Sequence, residues 1–213
     1  MSQPMNADEF DVYDFDKTIY VHDSSLDFYL FCVARRPWLL VYLPYQCWHL
    51  LRLQLKVESR THFKQAFFCF LGHIANIDAV VEDFWKTHAH KIKQWYAASG
   101  HAADIVISAS PEFLLLPICQ KLGVRMLIAT RMDKLTGKID GENCRGLEKV
   151  TRLKEVMPDI RVRKAYSDSL ADLPLLGLAK EPFIVISDTF MPLAVYNQKR
   201  HSKRHFSLPD AIE

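Results

Sequence analysis

The sequence predicts an α/β fold in which a parallel sheet is interrupted by an inserted, all-helical cap subdomain. In the C-terminal half of the 213-residue chain, short apolar runs alternate with helical patterns, which is typical of parallel strands joined by helices. One further strand pattern stands alone near the N-terminus. Roughly 80 residues with helical periodicity follow it, whereas a crossover between parallel strands needs on the order of a dozen or two. We therefore assign residues 1–19 and 103–213 to the core and residues 20–102 to the cap.

The strands of the core are predicted from short apolar runs that end at polar or turn-forming residues. They are residues 10–15, 104–109, 124–129, 165–166 and 183–186. Helices are predicted at residues 113–122, 147–156 and 170–178, and a short hairpin with two glycines at residues 135–141. Pro111 and Glu112 are typical of a helix start, and Gly123 is typical of the residue that follows a helix end.

Composition and charge exclude several classes of protein. Hydrophobic residues make up 49% of the chain and charged residues 24%, as in an ordinary globular protein. The formal net charge of +2 gives no indication of nucleic-acid binding. The seven glycines form neither of the glycine-rich motifs that bind dinucleotides or nucleotide phosphates. Five widely spaced cysteines and an N-terminus without an apolar segment predict reduced thiols and a cytoplasmic location.

Two aspartates at the end of the first strand are the first candidates for chemistry. Asp14 and Asp16 are two residues apart, so their side chains can face one crevice at the carboxyl edge of the sheet, where open α/β sheets bind ligands. Two carboxylates this close repel each other unless a cation lies between them or one takes a proton. The pair therefore indicates a Mg²⁺ site and an acid/base pair, although two solvated loop aspartates more often explain such a pattern.

Three further segments carry polar residues at a strand end or a helix start. Ser108 ends the second strand, where its hydroxyl can donate to a phosphate oxygen. Lys149 begins a helix and can pair with a phosphate. Asp168 would add a hard oxygen ligand for a metal, and Asp172 lies one helical turn further on the same face. Taken singly, such residues are ordinary caps or surface residues.

In this order and at these positions, the four segments resemble the motifs of the haloacid-dehalogenase-like superfamily, specifically its phosphoserine-phosphatase-like branch. The resemblance implies a Rossmann-like core with a helical cap inserted after the first strand. It identifies Asp14 as a nucleophile that forms an aspartyl-phosphate and Asp16 as the general acid and base. It also implies that Mg²⁺ binds to the carboxylates of Asp14 and Asp168 and to the main-chain carbonyl of Asp16.

The resemblance assigns the remaining motif residues as well. Ser108 and Lys149 are expected to bind the phosphate oxygens, and Asp172 is expected to orient Lys149. An aspartate at position 16 is similar to the phosphatases and phosphotransferases of the superfamily rather than to its dehalogenases. The expected activity is Mg²⁺-dependent hydrolysis of a phosphomonoester. Phosphoryl transfer to another acceptor and a non-catalytic binding module are the alternatives.

The cap contains an apolar segment, residues 37–51, that has no formally charged side chain. Arg35 and Arg36 precede it, and Arg52 and Lys56 follow it. A run of this length is too short to span a bilayer and is ordinarily buried, so we expect it to pack inside the cap or against a second copy of the chain. The alternative is a peripheral membrane contact, since tryptophan and tyrosine with basic neighbours are typical of interfacial segments.

Two short stretches are similar to bacterial phosphatidylglycerophosphatase C, namely RRP before the apolar segment and YSDSxxDxPLL in the fourth motif. This similarity implies a lipid or amphiphilic phosphate as substrate, such as phosphatidylglycerophosphate. Asp23 lies where phosphoserine phosphatases typically have a glutamate for the amino group, so phosphoserine or another small phosphorylated metabolite is the alternative. Arg60 and Lys64, one helical turn apart, are candidate substrate contacts, although charges on a helix are more often solvated.

Overall fold

The computed structural model describes residues 9–98 and 100–205, with side chains described as far as residue 199. Its strands are β1 (Glu9–Tyr13), β2 (Asp104–Pro111), β3 (Met126–Thr130), β4 (Arg161–Ser167), β5 (Ala179–Ile186) and β6 (Thr189–Pro192). They form one sheet in the order β3-β2-β1-β4-β5-β6, and all neighbours are parallel except β5 and β6. This architecture confirms the predicted α/β fold.

The regular elements of the described residues between β1 and β2 are all helical, and strand-like pairing there is limited to isolated bridges at Tyr20. Their helices are α1 (Ser24–Arg35), α2 (Leu43–Gln54), α3 (Arg60–Phe67), α4 (Ile77–His88) and α5 (Gln94–Ala97), with 3₁₀ turns at Pro37–Tyr42, Cys69–His73 and Ala89–Lys91. Polar caps set where the helices next to the sheet begin, because a side-chain oxygen satisfies a main-chain donor of the first turn. Asp23 accepts the Leu26 N–H at 2.9 Å, and Ser59 accepts the His62 N–H at 3.1 Å.

The sheet is buried on both faces, which explains why its strands appear as apolar runs without a clear alternation. Val12 and Ile105 lie in one cluster of buried residues, whereas Tyr13 and Val106 lie in the other, together with aromatic residues of the cap segment. The helices that follow β2 are α6 (Glu112–Leu122), α7 (Leu147–Val156), α8 (Leu173–Leu176) and α9 (Leu193–His205). Gly123 ends α6 with a φ of +74°, as predicted. Because β1, β2 and β4 are parallel neighbours, their carboxyl ends meet at one edge of the sheet.

Several predicted elements have different bounds or a different form. The hairpin expected at residues 135–141 is a turn with a single bridge between Met132 and Ile139. The helix expected at residues 170–178 is a 3₁₀ turn (Leu170–Asp172) followed by the four-residue α8. The sequence did not indicate β6, because this strand has only four residues and is mostly exposed at the sheet edge.

The apolar segment at residues 37–51 is mostly exposed, which contradicts packing inside the cap, whereas packing against a second copy and a membrane contact stay predictions. Only Leu39 and Gln46 of this segment are buried. Gln46 holds α2 in place, since its Oε1 accepts the Tyr29 hydroxyl and its Nε2 donates to the Phe67 carbonyl, both at 2.9 Å. A helix that is apolar on all sides can bury only the face that meets the rest of the chain. Among the described residues, no helix is long and apolar enough to cross a bilayer.

Candidate active site

The loop after β1 is fastened to β4 and turns sharply at Lys17. The Asp14 N–H donates to the Tyr166 carbonyl at 2.9 Å, which extends the pairing of β1 with β4 by one residue. Lys17 has a φ of +59°, in the left-handed region that favours glycine. The buried Thr18 hydroxyl accepts the Asp168 N–H at 3.0 Å and lies 3.4 Å from Asp14 Oδ2. The first and fourth motifs are thereby held side by side.

Lys149 joins two other predicted site residues, Asp14 and Asp172. Its side chain is buried in the first turn of α7, with Nζ 2.6 Å from Asp14 Oδ1 and 2.7 Å from Asp172 Oδ2. The Ser167 hydroxyl donates to the same Asp172 oxygen at 2.8 Å. Burial alone would lower the pKa of Lys149, but the two carboxylates raise it above its ordinary value. The ammonium group is therefore a fixed positive charge beside Asp14.

Asp16 is held by donors from two elements. Its Oδ1 accepts the Ser24 N–H at 2.8 Å, and its Oδ2 accepts the Ser110 hydroxyl at 2.5 Å. Burial raises the pKa of Asp16 to about 6, and the negative charge of Asp23 adds to this effect. Burial likewise raises the pKa of Asp14 to about 7, although Lys149 opposes the shift. Both carboxyl groups can therefore change protonation state near neutral pH.

The donor set around Asp14 fits a hard divalent cation. The Asp168 carboxyl lines the same cavity as that of Asp14, and burial raises its pKa. Carboxylates that share a buried space repel each other unless a cation or a proton lies between them, and oxygen donors are what Mg²⁺ prefers. In the described part of the chain, no three His, Cys, Asp or Glu side chains converge as a metal site. The predicted set instead consists of two carboxylates and the main-chain carbonyl of Asp16.

A cavity of about 420 Å³ lies between the sheet edge and the cap helices. Every predicted site residue except Ser108 lines it, namely Asp14, Asp16, Asp23, Arg60, Lys64, Lys149, Asp168 and Asp172. Lys64 donates to the Ala109 carbonyl, and burial lowers the pKa of its amine to about 8. Asp23, whose Oδ1 caps α1, and Arg60 are exposed at the cap side of the cavity.

Ser108 is fully buried, and its Oγ accepts the Ser110 N–H at 3.0 Å. The following two residues, Ala109 and Ser110, line the cavity in its place. The structure thus gives Ser108 a role in shaping this turn, and its contact with phosphate stays a prediction.

Sequence reasoning missed several residues of the site. Asn143 and Arg145 line the cavity from the loop before α7. Asn143 Oδ1 accepts the Thr130 hydroxyl at 3.0 Å, which ties this loop to the end of β3. Lys93 is buried at the end of the cap segment and donates to the main-chain carbonyls of Lys17 and Ser187. Of these residues, only Asn143 and Arg145 could have been suggested by the sequence, because they lie a few residues before Lys149.

Comparison with known proteins gives matches at the level of family and fold. The family model described as haloacid dehalogenase-like hydrolase matches residues 12–177. Protein CicA of Caulobacter vibrioides is 40% identical over 86 residues, which cover 38% of this chain and 39% of that protein. The histidinol-phosphatase of Neisseria meningitidis serogroup C is 33% identical over 96 residues, which cover 39% of this chain and 43% of that protein. The chain thus spans less than half of the length of the curated relatives it matches.

Two solved structures share the fold across most of the chain. A protein of unknown function from Bordetella pertussis Tohama I superposes with a TM-score of 0.69 at 17% identity, covering 93% of this chain and 97% of its own. A substrate-bound phosphoserine phosphatase superposes with a TM-score of 0.57 at 14% identity, covering 83% of this chain and 85% of its own. At these identities the likeness establishes a shared fold.

Proposed function

Since the chain belongs to the haloacid dehalogenase-like hydrolase family, we propose that it is a Mg²⁺-dependent phosphomonoester hydrolase that forms an aspartyl-phosphate on Asp14. The observation that carries the proposal is the 2.6 Å contact between Asp14 and the buried Lys149, beside a cavity that also contains Asp16 and Asp168. A nucleophilic carboxylate needs a neighbouring positive charge to approach a dianionic phosphate, and this site supplies one.

In the first step, a carboxylate oxygen of Asp14 bonds to phosphorus, and the bond from phosphorus to the substrate oxygen breaks. Asp16 enters this step protonated and gives its proton to the departing alkoxide. A pKa near 6 suits a group that must give a proton and later take one back near neutral pH. The hydrogen bonds from Ser24 and Ser110 hold the Asp16 carboxyl in one orientation for both transfers.

In the second step, water attacks the phosphorus of the aspartyl-phosphate, the bond from phosphorus to the Asp14 oxygen breaks, and the Asp16 carboxylate takes a proton from that water. Inorganic phosphate is released, and both Asp14 and Asp16 return to their starting states. Lys149 stays beside the phosphate oxygens throughout, and its contact with Asp172 keeps its ammonium group in place. Asp14, Asp168 and the Asp16 carbonyl would hold Mg²⁺, which supplies further neutralisation of the charge between nucleophile and phosphate.

For the substrate, we favour a lipid or amphiphilic phosphate such as phosphatidylglycerophosphate. The cap side of the cavity combines the apolar side chains of Leu26, Phe63 and Phe67 with the cations of Arg60 and Lys64. Apolar lining beside positive charge suits a phosphate with an aliphatic neighbour. Asp23 also faces the cavity, and its carboxylate keeps the phosphoserine alternative open because it could bind an amino group.

The test is release of inorganic phosphate from a substrate panel with Mg²⁺, compared with EDTA and with Asp14→Asn. We expect Asp14→Asn to lower turnover by at least roughly 10³-fold, since the reaction loses its nucleophile. Asp159→Asn, at an exposed aspartate outside the cavity, is the matched control and should turn over normally. Unchanged turnover in Asp14→Asn, or in EDTA, would remove the basis for the proposal.

The panel pairs phosphatidylglycerophosphate in detergent micelles with phosphoserine, histidinol phosphate and an aryl phosphate. Preference for the micellar substrate would support the apolar side of the cavity as an acyl-chain contact. Turnover of the soluble phosphates alone would contradict the lipid assignment and leave the hydrolase assignment standing. Formation of the phosphorylated acceptor in place of inorganic phosphate, on addition of an alcohol, would instead indicate a phosphotransferase.

A further inference from the structure

The strongest unexplained feature outside the cavity is an apolar surface on the cap. We define the cap patch as Trp38, Val41, Tyr45, Trp48, Leu51 and Leu55, whose side chains have between 46% and 70% of their surface exposed. Tyr45, Trp48, Leu51 and Leu55 are spaced by three, three and four residues along α2 and its end, so they share one face of the helix. Several large apolar side chains exposed within one segment are more than the scattered exposed residues of an ordinary surface and point to a binding surface.

The exposed charges at the two ends of the cap patch are positive, and the nearest acid in the sequence, Glu58, has its side chain buried against His49 and Arg52. Residues 35–57 include two arginines before the patch, an arginine and a lysine towards its end, and no aspartate or glutamate. Arg52 is paired with Glu58 at 3.4 Å, whereas Arg35 and Lys56 are exposed at opposite ends of the patch. An apolar face with tryptophan, tyrosine and flanking basic residues has the composition of a helix that lies in a lipid–water interface.

From these observations we propose that the cap patch docks the protein on the surface of a bilayer that contains anionic lipid. A second copy of the chain is a poorer occupant, because a two-fold interface places the same patch on both sides. Such a dimer would bring identical cations together, since residues 35–57 contain no acid and the adjacent Glu58 is already paired with His49 and Arg52 in its own chain. Anionic headgroups supply the missing negative charge, and the acyl boundary accepts the apolar side chains.

Docking on this face brings the cavity close to the bilayer. The contact between Gln46 Nε2 and the Phe67 carbonyl joins α2 to α3, and α3 carries Arg60, Phe63 and Lys64 into the cavity. The patch is therefore one helix away from the residues proposed to contact substrate. The docking proposal rests on the surface itself and holds whichever phosphate the site hydrolyses.

The experiment measures binding to vesicles of phosphatidylcholine with and without phosphatidylglycerol by co-sedimentation, in the absence of any substrate. We expect binding to the anionic vesicles, and at least a tenfold loss of affinity when Val41→Ser and Trp48→Ser remove two exposed apolar side chains of the patch. Arg35→Gln with Lys56→Gln should reduce binding to the anionic vesicles about tenfold. Leu135→Ser with Val156→Ser, at exposed apolar residues elsewhere, is the matched control and should bind as the unmodified chain does.

Two results would overturn the docking proposal. One is the absence of binding to either kind of vesicle. The other is a dimer in analytical ultracentrifugation that becomes a monomer in Val41→Ser with Trp48→Ser, which would make a second copy the occupant. Hydrolysis of a soluble aryl phosphate by the patch variants separates this outcome from failure of the proposed function, because none of these residues lines the cavity.

Discussion

The carboxyl edge of the sheet and the cap patch differ in what stabilises their side chains. At the sheet edge, the charged groups are buried and paired within the chain, as in the contacts of Lys149 with Asp14 and Asp172. On the cap patch, Trp48 and Val41 have 57% and 70% of their surface exposed. The first arrangement makes its ion pairs within one chain, whereas the second gains free energy only when an apolar or interfacial environment covers it. The proposed chemistry therefore depends on contacts within the chain, whereas the burial of the cap patch depends on the surface that the protein binds.

The largest expected effect tests whether the charges at the sheet edge are truly interdependent. Lys149→Met leaves Asp14 and Asp172 as buried carboxylates without their cation, so we expect the free energy of unfolding to fall by about 3–5 kcal/mol at neutral pH. Hydrolysis should be lost as well. Denaturant titration followed by circular dichroism measures the first effect, and phosphate release measures the second.

A second variant distinguishes charge imbalance from lost packing. Lys149→Met combined with Asp172→Asn removes one of the two unpaired carboxylates and should recover part of the lost stability without recovering hydrolysis. If the double variant is no more stable than Lys149→Met, the charges at this edge do not form the interdependent set described here.

Lys93 offers a test of whether a contact made from the cap segment supports the loop that carries Asp14 and Asp16. Its amine binds the carbonyls of Lys17 and Ser187, and both of these residues have a positive φ, +59° and +52°. Lys93→Met leaves two carbonyls without their donor, so we expect a loss of about 2 kcal/mol in the free energy of unfolding. We also expect roughly a tenfold lower kcat, because the Lys17 turn positions Asp14 and Asp16.

Two comparisons make the Lys93 result specific. Lys93→Arg keeps a buried cation and should retain most of the kcat. Lys86→Met removes a lysine whose side chain is 70% exposed on α4 and should change neither stability nor kcat. Equal effects of Lys93→Met and Lys86→Met would show that Lys93 does not support the loop.

The contrast between the two regions also explains how much the sequence could predict. Asp14, Asp16, Lys149, Asp168 and Asp172 all line one cavity, as the motifs predicted, because the ends of parallel strands share an edge. The position of Ser108 was harder to predict, since the register of β2 with β3 shifts between Ser108 and Pro111. Such a bulge redirects side chains without leaving a trace in the pattern of apolar residues.

The sequence could predict that the cap is helical, but it could not predict which side chains of the cap are buried. Residues 37–51 are apolar on nearly every side, so their periodicity does not show which face meets the chain or whether any element covers the rest. Asn143 and Arg145 were missed for a related reason, because they lie in a loop whose path is set by tertiary contacts such as that between Asn143 and Thr130.

A smaller effect tests the close contact between Gly137, in the segment after β3, and the main chain of Phe68 in the cap segment. A Cβ added at Gly137 would lie 2.5 Å from the Phe68 carbonyl oxygen, whereas one added at Gly123 would meet nothing within 4 Å. Both glycines have a φ of +74°, so Gly123→Ala carries the backbone strain alone, about 1 kcal/mol. We expect Gly137→Ala to cost about 1–2 kcal/mol more in thermal unfolding, because the Phe68 main chain must move. Equal losses of stability in Gly137→Ala and Gly123→Ala would mean that the Phe68 main chain does not restrict the space at position 137.

The last expected effect is a pH dependence of stability that belongs to the sheet edge and not to the cap patch. Burial raises the pKa of Asp14 to about 7 and of Asp16 to about 6, whereas the unfolded chain has ordinary values near 4. Between these values the folded protein binds more protons than the unfolded chain, so the free energy of unfolding falls as pH rises.

In EDTA, the Tm should therefore fall by roughly 10 °C between about pH 5 and pH 8, since the two shifts together amount to about 4 kcal/mol over this range. Mg²⁺ should reduce this fall, because a cation between Asp14 and Asp168 favours their ionised forms. Asp14→Asn should also reduce it, since it removes the acid with the higher pKa. The patch variant Val41→Ser with Trp48→Ser should keep the full slope, because residues 35–57 contain no acid that titrates in this range. A Tm that rises with pH in EDTA would show that the two aspartates are ionised in the folded protein, which would leave Asp16 without the proton it must donate.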